Sequence, residues 1–139
     1  SDHGGYELKE ALVRFLEKSA HRVEDAGCHG KDSVDYPDFG ITVARAVAEG
    51  KADRGILICT TGIGMSMAAN KVKGIRAALC TDVFTAKMSR LHNDANVLVL
   101  GAKVVDEGRA VEMVETWLAT PFEGGRHQRR VDKINELDN

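Results

Sequence analysis

Apolar positions along the chain follow two alternating periods, one helical and one extended. In residues 6–20, Leu8, Ala11, Leu12, Phe15 and Leu16 recur three and four apart, the stripe of an amphipathic helix. Glu7, Lys9, Glu10 and Arg14 fall on what this pattern makes its solvated face. A short extended stretch, residues 22–25, leads through Cys28 and His29 into an acidic loop ending Asp35-Tyr36-Pro37-Asp38. Asp38 is placed to cap a helix that buries Phe39, Val43 and Val47. Residues 55–59 are a continuous apolar run, as expected of a central parallel strand with both faces covered, and residues 75–80 and 96–100 read the same way. Helices are predicted at 65–70, 83–91 and 106–119, the last with Ala110, Val114, Trp117 and Leu118 inward. The charged stretch 127–137 reads as one more helix.

Strand–helix alternation of this kind predicts a single α/β domain over residues 1–139, doubly wound around a mainly parallel sheet with right-handed crossovers. Ligands of such sheets bind beyond the carboxyl ends of the strands, here the loops after Cys59, Cys80 and Leu100. Asp2-His3-Gly4-Gly5 reads as a loop that follows a strand, yet no strand precedes it. The expectation is that the first strand of the fold is absent from this chain.

Composition narrows the function. The 139 residues can bury roughly two-thirds of their unfolded surface in one core. Lys and Arg number 19 against 21 Asp and Glu, a balance that argues against nonspecific nucleic-acid or membrane-surface binding. No apolar run approaches the ~18–20 residues of a bilayer span, and the N-terminus lacks a signal pattern. Cys28, Cys59 and Cys80 form neither a disulfide framework nor a CxxC pair. The chain reads as a small cytoplasmic domain with reduced thiols. No spacing of His, Cys and acidic residues calls for a metal, and Cys28, Cys80, His21 and His29 read as structural.

The strongest chemical signal is Cys59-Thr60-Thr61-Gly62-Ile63-Gly64-Met65-Ser66, which follows a buried strand and opens a helix. Such a loop turns backbone N–H groups inward and makes an anion-binding concavity for a phosphate or an enediolate oxygen. Positive potential there favours a cysteine thiolate. The competing account is a turn beside a small buried residue. No Gly-Lys-Ser/Thr follows, so this is not a Walker loop. His92 and Asn93, at a helix end before an apolar strand, could move a proton and bind a hydroxyl, or simply terminate the helix. Arg126 and Arg130, four apart, would align two guanidiniums for phosphate or make a solvated basic face. Asp2 and His3 form an acid–base pair or an exposed loop.

Taken in order, Ser-Asp-His-Gly-Gly, Asp35-Tyr36-Pro37, residues 59–66 with Ala68-Ala69-Asn70-Lys71, His92-Asn93-Asp94-Ala95-Asn96 and Glu123-Gly124-Gly125-Arg126-His127 resemble the ribose/galactose isomerase B family over residues 1–134. The resemblance implies a Rossmann-like α/β/α sandwich, metal-free and cofactor-free aldose–ketose isomerisation of a sugar phosphate, and a homodimer or tetramer with its cleft at the dimer interface. It assigns Cys59 as the base that moves a proton between C1 and C2 of ribose and ribulose 5-phosphate through a cis-enediolate, with Thr61 beside it. Gly62, Ile63, Gly64 and Ser66 match the loop that stabilises the enediolate. His92 matches the histidine that opens the sugar ring, opposite Asp2, and Asn93 a hydroxyl ligand. His3, Lys103, Arg126 and Arg130 match phosphate contacts, with His92 and its neighbours supplied by the partner chain. Thr60 stands where glycine is usual, Lys103 where arginine is frequent, and Met65 where a second branch of the family has a glutamate base. Alternatives are an isomerase of allose or galactose 6-phosphate, a cysteine phosphoryl carrier of the sugar phosphotransferase type, and a sugar-phosphate-binding module without catalysis.

Overall fold

A computed structural model of the chain describes residues 1–138. Among them, strands β1 (Gly55–Cys59), β2 (Ala77–Leu79) and β3 (Val97–Gly101) form one parallel sheet in the spatial order β1-β3-β2. A 3-10 turn at His3–Gly5 leads into α1 (Tyr6–Lys18), and α2 (Tyr36–Ala48) precedes β1. Helices α3 (Ile63–Ala69), α4 (Val83–Leu91) and α5 (Glu107–Ala119) follow the three strands in turn, and α6 (Arg126–Asn135) comes last.

Side chains of a strand alternate between its faces, and the core divides accordingly. Ile58, Leu98 and Leu100 point to one side and pack with Leu8, Leu12 and Leu16 of α1, Ala86 of α4, and Met113, Val114 and Trp117 of α5. Leu57, Cys59, Val97 and Val99 point to the other and pack with Ala44 of α2 and with Met65 and Ala69 of α3. The result is the expected three-layer α/β/α sandwich.

Several local expectations are corrected. Only β3, paired on both sides, is fully buried; β2 is a short edge strand with Ala77 and Ala78 half-buried and Leu79 exposed, so its apolar run reflects one covered face rather than two. Residues 22–25 join no ladder. Asp35, not Asp38, occupies the N-cap of α2, because Pro37 suits the first turn, where its missing N–H costs nothing. Lys9 is buried rather than solvated. Its Nζ donates to Asp25 Oδ2 and to the Cys28 carbonyl, each at 2.9 Å, and pairs with Glu10, fastening the 25–28 segment to α1. No helix among the described residues is long and apolar enough to cross a membrane.

The sheet's polarity decides where chemistry can gather. The pairs Gly55↔Val97 and Cys59↔Gly101 put Cys59 and the end of β3 at one edge of the molecule. His92, the C-cap of α4, precedes β3 and lies at the opposite edge. The length of β3, about 13 Å at 3.3 Å per residue, separates the two.

Candidate active site

Cys59 ends β1 with its side chain on the α2/α3 face, 6% exposed, yet it lines an open cavity of about 430 Å³ with Asp2, Tyr36, Thr60, Thr61, Ile63, Gly64 and Met67. The chain turns sharply after the strand, with Gly62 at φ +83°, a conformation that favours glycine. This turn aims the Gly62 N–H at Cys59 Sγ, 3.1 Å away. A Cβ at Gly64 would meet the Tyr36 ring at 2.4 Å, so glycine there lets the phenol close over the loop. Thr61 Oγ1 accepts from the Ile63 N–H at 3.2 Å. Asp2, buried, runs beside β1: its N–H donates to the Ile58 carbonyl, and its Oδ1 accepts from the Gly5 N–H at 3.2 Å. At Cys80, burial pushes the thiol above the usual range, as suits a packing residue.

A second cavity of about 440 Å³ opens at the same edge, lined by His3, Gly4, Lys31 and Lys103 among others. His3 Nδ1 accepts from the Val34 N–H at 3.1 Å, which leaves Nε2 to carry the ring hydrogen as a donor. Lys103 is exposed and forms no ion pair among the described residues, so its ammonium is available to an anion.

His92 and Asn93 sit on a loop that two arginines brace from within. Arg90 donates to Asp94 Oδ1 at 2.8 Å, to the Ala95 carbonyl at 2.7 Å and to the Thr120 carbonyl at 3.2 Å. Arg76 donates to the carbonyls of Asn93 and Asp94 and reaches Asn135 of α6. Asp94 and Asn96 are therefore structural, and only His92 and Asn93 of this segment offer side chains to a ligand. The His92 ring stacks on His127 of α6, centroids 4.1 Å apart and planes 12° off parallel. Arg126 and Arg130, exposed on α6, lie beside them.

Of the residues singled out from sequence, Asp2, Cys59, Thr60, Thr61, Ile63 and Gly64 share the first cavity, and His3 and Lys103 line the second. Ser66 does not line the Cys59 cavity; its hydroxyl donates to the Ile63 carbonyl at 2.7 Å. The turn after Cys80 borders neither cavity. His92, Asn93, Arg126 and Arg130 form a separate group, which no single copy brings to Cys59. Sequence reasoning missed Tyr36, Met67, Glu123 and His127. Tyr36 was visible as the aromatic of Asp-Tyr-Pro, and Met67 as the residue one turn after Ile63. Nothing local couples position 92 to 123 and 127. The donor atoms of His92, Glu123 and His127 lie within 4.8 Å of one another. Stacked rings, however, aim their in-plane nitrogens side by side instead of at a common point about 2 Å from each, as a metal requires.

Comparison with known proteins places the chain in a family. Residues 1–134 match the family model described as Ribose/Galactose Isomerase. The chain is 46% identical over 137 residues to ribose-5-phosphate isomerase B of Escherichia coli, covering 99% of this chain and 92% of that protein. The ribose-5-phosphate isomerase B structure from Clostridium thermocellum superposes with a TM-score of 0.97 at 58% identity, covering 99% and 93% of the two chains. The Mycoplasma genitalium enzyme, solved with bound ribulose-5-phosphate, gives 0.94 at 43% identity, covering 99% and 91%. By sequence and by fold, the chain belongs to the ribose/galactose isomerase family.

Proposed function

We propose that this sugar-phosphate isomerase interconverts ribose 5-phosphate and ribulose 5-phosphate, with Cys59 as the base of a metal-independent proton transfer. Removing a weakly acidic C–H proton needs a poised base next to preorganised donors for the oxygen that becomes negative. Cys59 is such a base: its sulfur faces a cavity, accepts one backbone N–H and lies below the first turn of α3, whose amides have no acceptor within the helix. As the thiolate takes the proton from one carbon, the electron pair moves onto the carbonyl oxygen, giving a cis-enediolate. The proton then returns to the neighbouring carbon while the C2 hydroxyl proton passes to the C1 oxygen, which completes the exchange. Thr61 and the 62–64 backbone support the enediolate, and His3 and Lys103 hold the phosphate in the adjoining cavity.

The aldose enters as a closed ring. Opening breaks the bond between C1 and the ring oxygen; that oxygen gains a proton while the C1 hydroxyl loses one. We assign this transfer to His92 with Asp2, and sugar hydroxyl binding to Asn93. Because His92 and Cys59 sit at opposite edges of the sheet, the site is completed by a second copy of the chain, which brings its own His92, Asn93, Arg126 and Arg130 to the Cys59 cavity. Exposed apolar side chains lining that cavity support such a contact: Ile63 is 50% and Met67 65% exposed.

The position of Cys59 carries this proposal. The test is ketose formation from ribose 5-phosphate with EDTA present, beside allose and galactose 6-phosphates as competitors. Wild type is expected to turn over the pentose fastest, and Cys59→Ala to lose about 100- to 10,000-fold. An undiminished Cys59→Ala rate removes the thiol from the mechanism.

A further inference from the structure

We propose that His127 is a positioning residue for His92, its flat ring fixing the plane in which the His92 imidazole exchanges a proton with the closed sugar. The inference rests on the ring-opening role assigned to His92 above. The two rings are nearly parallel, with centroids 4.1 Å apart. His127 is only 6% exposed, so the lower ring is clamped while His92 is partly open to solvent.

The backbone around the pair is built to hold it. The Glu123 N–H donates to the Leu91 carbonyl at 3.0 Å, pinning the approach to α6 onto the end of α4. Gly124 and Gly125 then follow at φ +70° and +55°, and the His127 N–H closes on the Gly124 carbonyl at 3.0 Å. This turn starts α6 so that His127 and Val131, one helical turn apart, face inward. Val131 shows that an aliphatic residue can seat this helix. An imidazole at 127 leaves Nε2 buried without a hydrogen-bond partner, its nearest acid being Glu123 Oε2 at 3.8 Å. A buried orphan nitrogen is a cost that packing does not explain. What the geometry does show is a flat face beneath His92, which an aliphatic residue would not present. Burial and the neighbouring His92 also lower the proton affinity of His127.

Two reactions of one enzyme separate this role from simple anchoring. Net turnover of ribose 5-phosphate requires ring opening. Ribulose 5-phosphate is acyclic because its terminal oxygen is esterified, so exchange of its C1 hydrogen with solvent deuterium needs only the Cys59 step. His127→Ala is expected to slow aldose turnover about 10- to 100-fold, the penalty of a misplaced catalytic group, while ketose exchange stays within about threefold of wild type. His127→Phe, which keeps a flat ring, restores most of the aldose rate. If the alanine variant does not fold, His127→Gln replaces it. Equal loss in both reactions, no loss in aldose turnover, or a phenylalanine variant as slow as the alanine one overturns the proposal. Should wild type lack Cys59-dependent exchange altogether, the isomerase mechanism itself fails, a result distinguishable from these.

Discussion

Lys103, the proposed phosphate contact, is expected to set affinity more than rate. It reaches the second cavity as a point charge, whereas an arginine would offer a planar fork to phosphate oxygens. Lys103→Ala is expected to raise KM about 10-fold with a smaller change in kcat, and Lys103→Arg to lower KM; steady-state kinetics on ribose 5-phosphate decides. Gly62 shows the converse, a residue whose lack of a side chain is its function. An alanine there would be strained at φ +83°, and its Cβ would meet Leu79 Cδ1 at 2.4 Å and the Leu100 carbonyl carbon at 3.1 Å. Gly62→Ala is expected to lose roughly 2–4 kcal/mol in chemical denaturation and to turn the Cys59-facing amide away, lowering activity as well.

Elements rather than single residues hold the His92 group. Arg90 ties the end of α4 to the loop before β3 and to the end of α5, with every contact inside the fold. Replacing it by Met leaves the Ala95 and Thr120 carbonyls and the Asp94 carboxylate short of donors. Thermal and denaturant unfolding should show a loss of about 2–4 kcal/mol. Helix α6 supplies a pH response. Burial first, then the His92 and nearby Arg126 and Arg130 charges, lower the His127 proton affinity, and Glu123 opposes them only in part. A histidine depressed in the folded state binds its proton more readily once unfolded. Its stabilisation is therefore complete above the unfolded value of 6.5 and declines as pH falls through the lower folded value. As pH falls below 6.5, stability of wild type should drop more steeply than that of His127→Phe, followed by urea unfolding.

At the scale of the whole molecule, the decisive arrangement is that Cys59 and His92 lie at opposite edges of one sheet. In the proposed symmetric dimer, each of two sites would take Cys59 from one copy and His92 from the other. Cys59→Ala and His92→Ala should each be inactive alone. Unfolded together and refolded in equal amounts, they should recover about a quarter of wild-type activity, since half the dimers are mixed and each mixed dimer holds one intact site. No recovery would place both residues in the same chain's site. Sedimentation of the wild type should give the dimer mass or a multiple of it.

Local chemistry made much of this protein legible in its sequence. The helical stripe of α1, the apolar runs of β1 and β3 and the Gly-rich turn after Cys59 are short-range patterns, dictated by backbone geometry and by which faces must leave water. So was the setting of Cys59 beside an open cavity, because the residues that shape its surroundings follow it directly. Burial of Lys9, the edge position of β2, the stacking of His92 on His127 and the separation of His92 from Cys59 were decided only by tertiary structure. Each depends on which distant segments the parallel sheet brings side by side. Sequence spacing carries no such information, because the free energy of those contacts exists only after the chain has closed on itself.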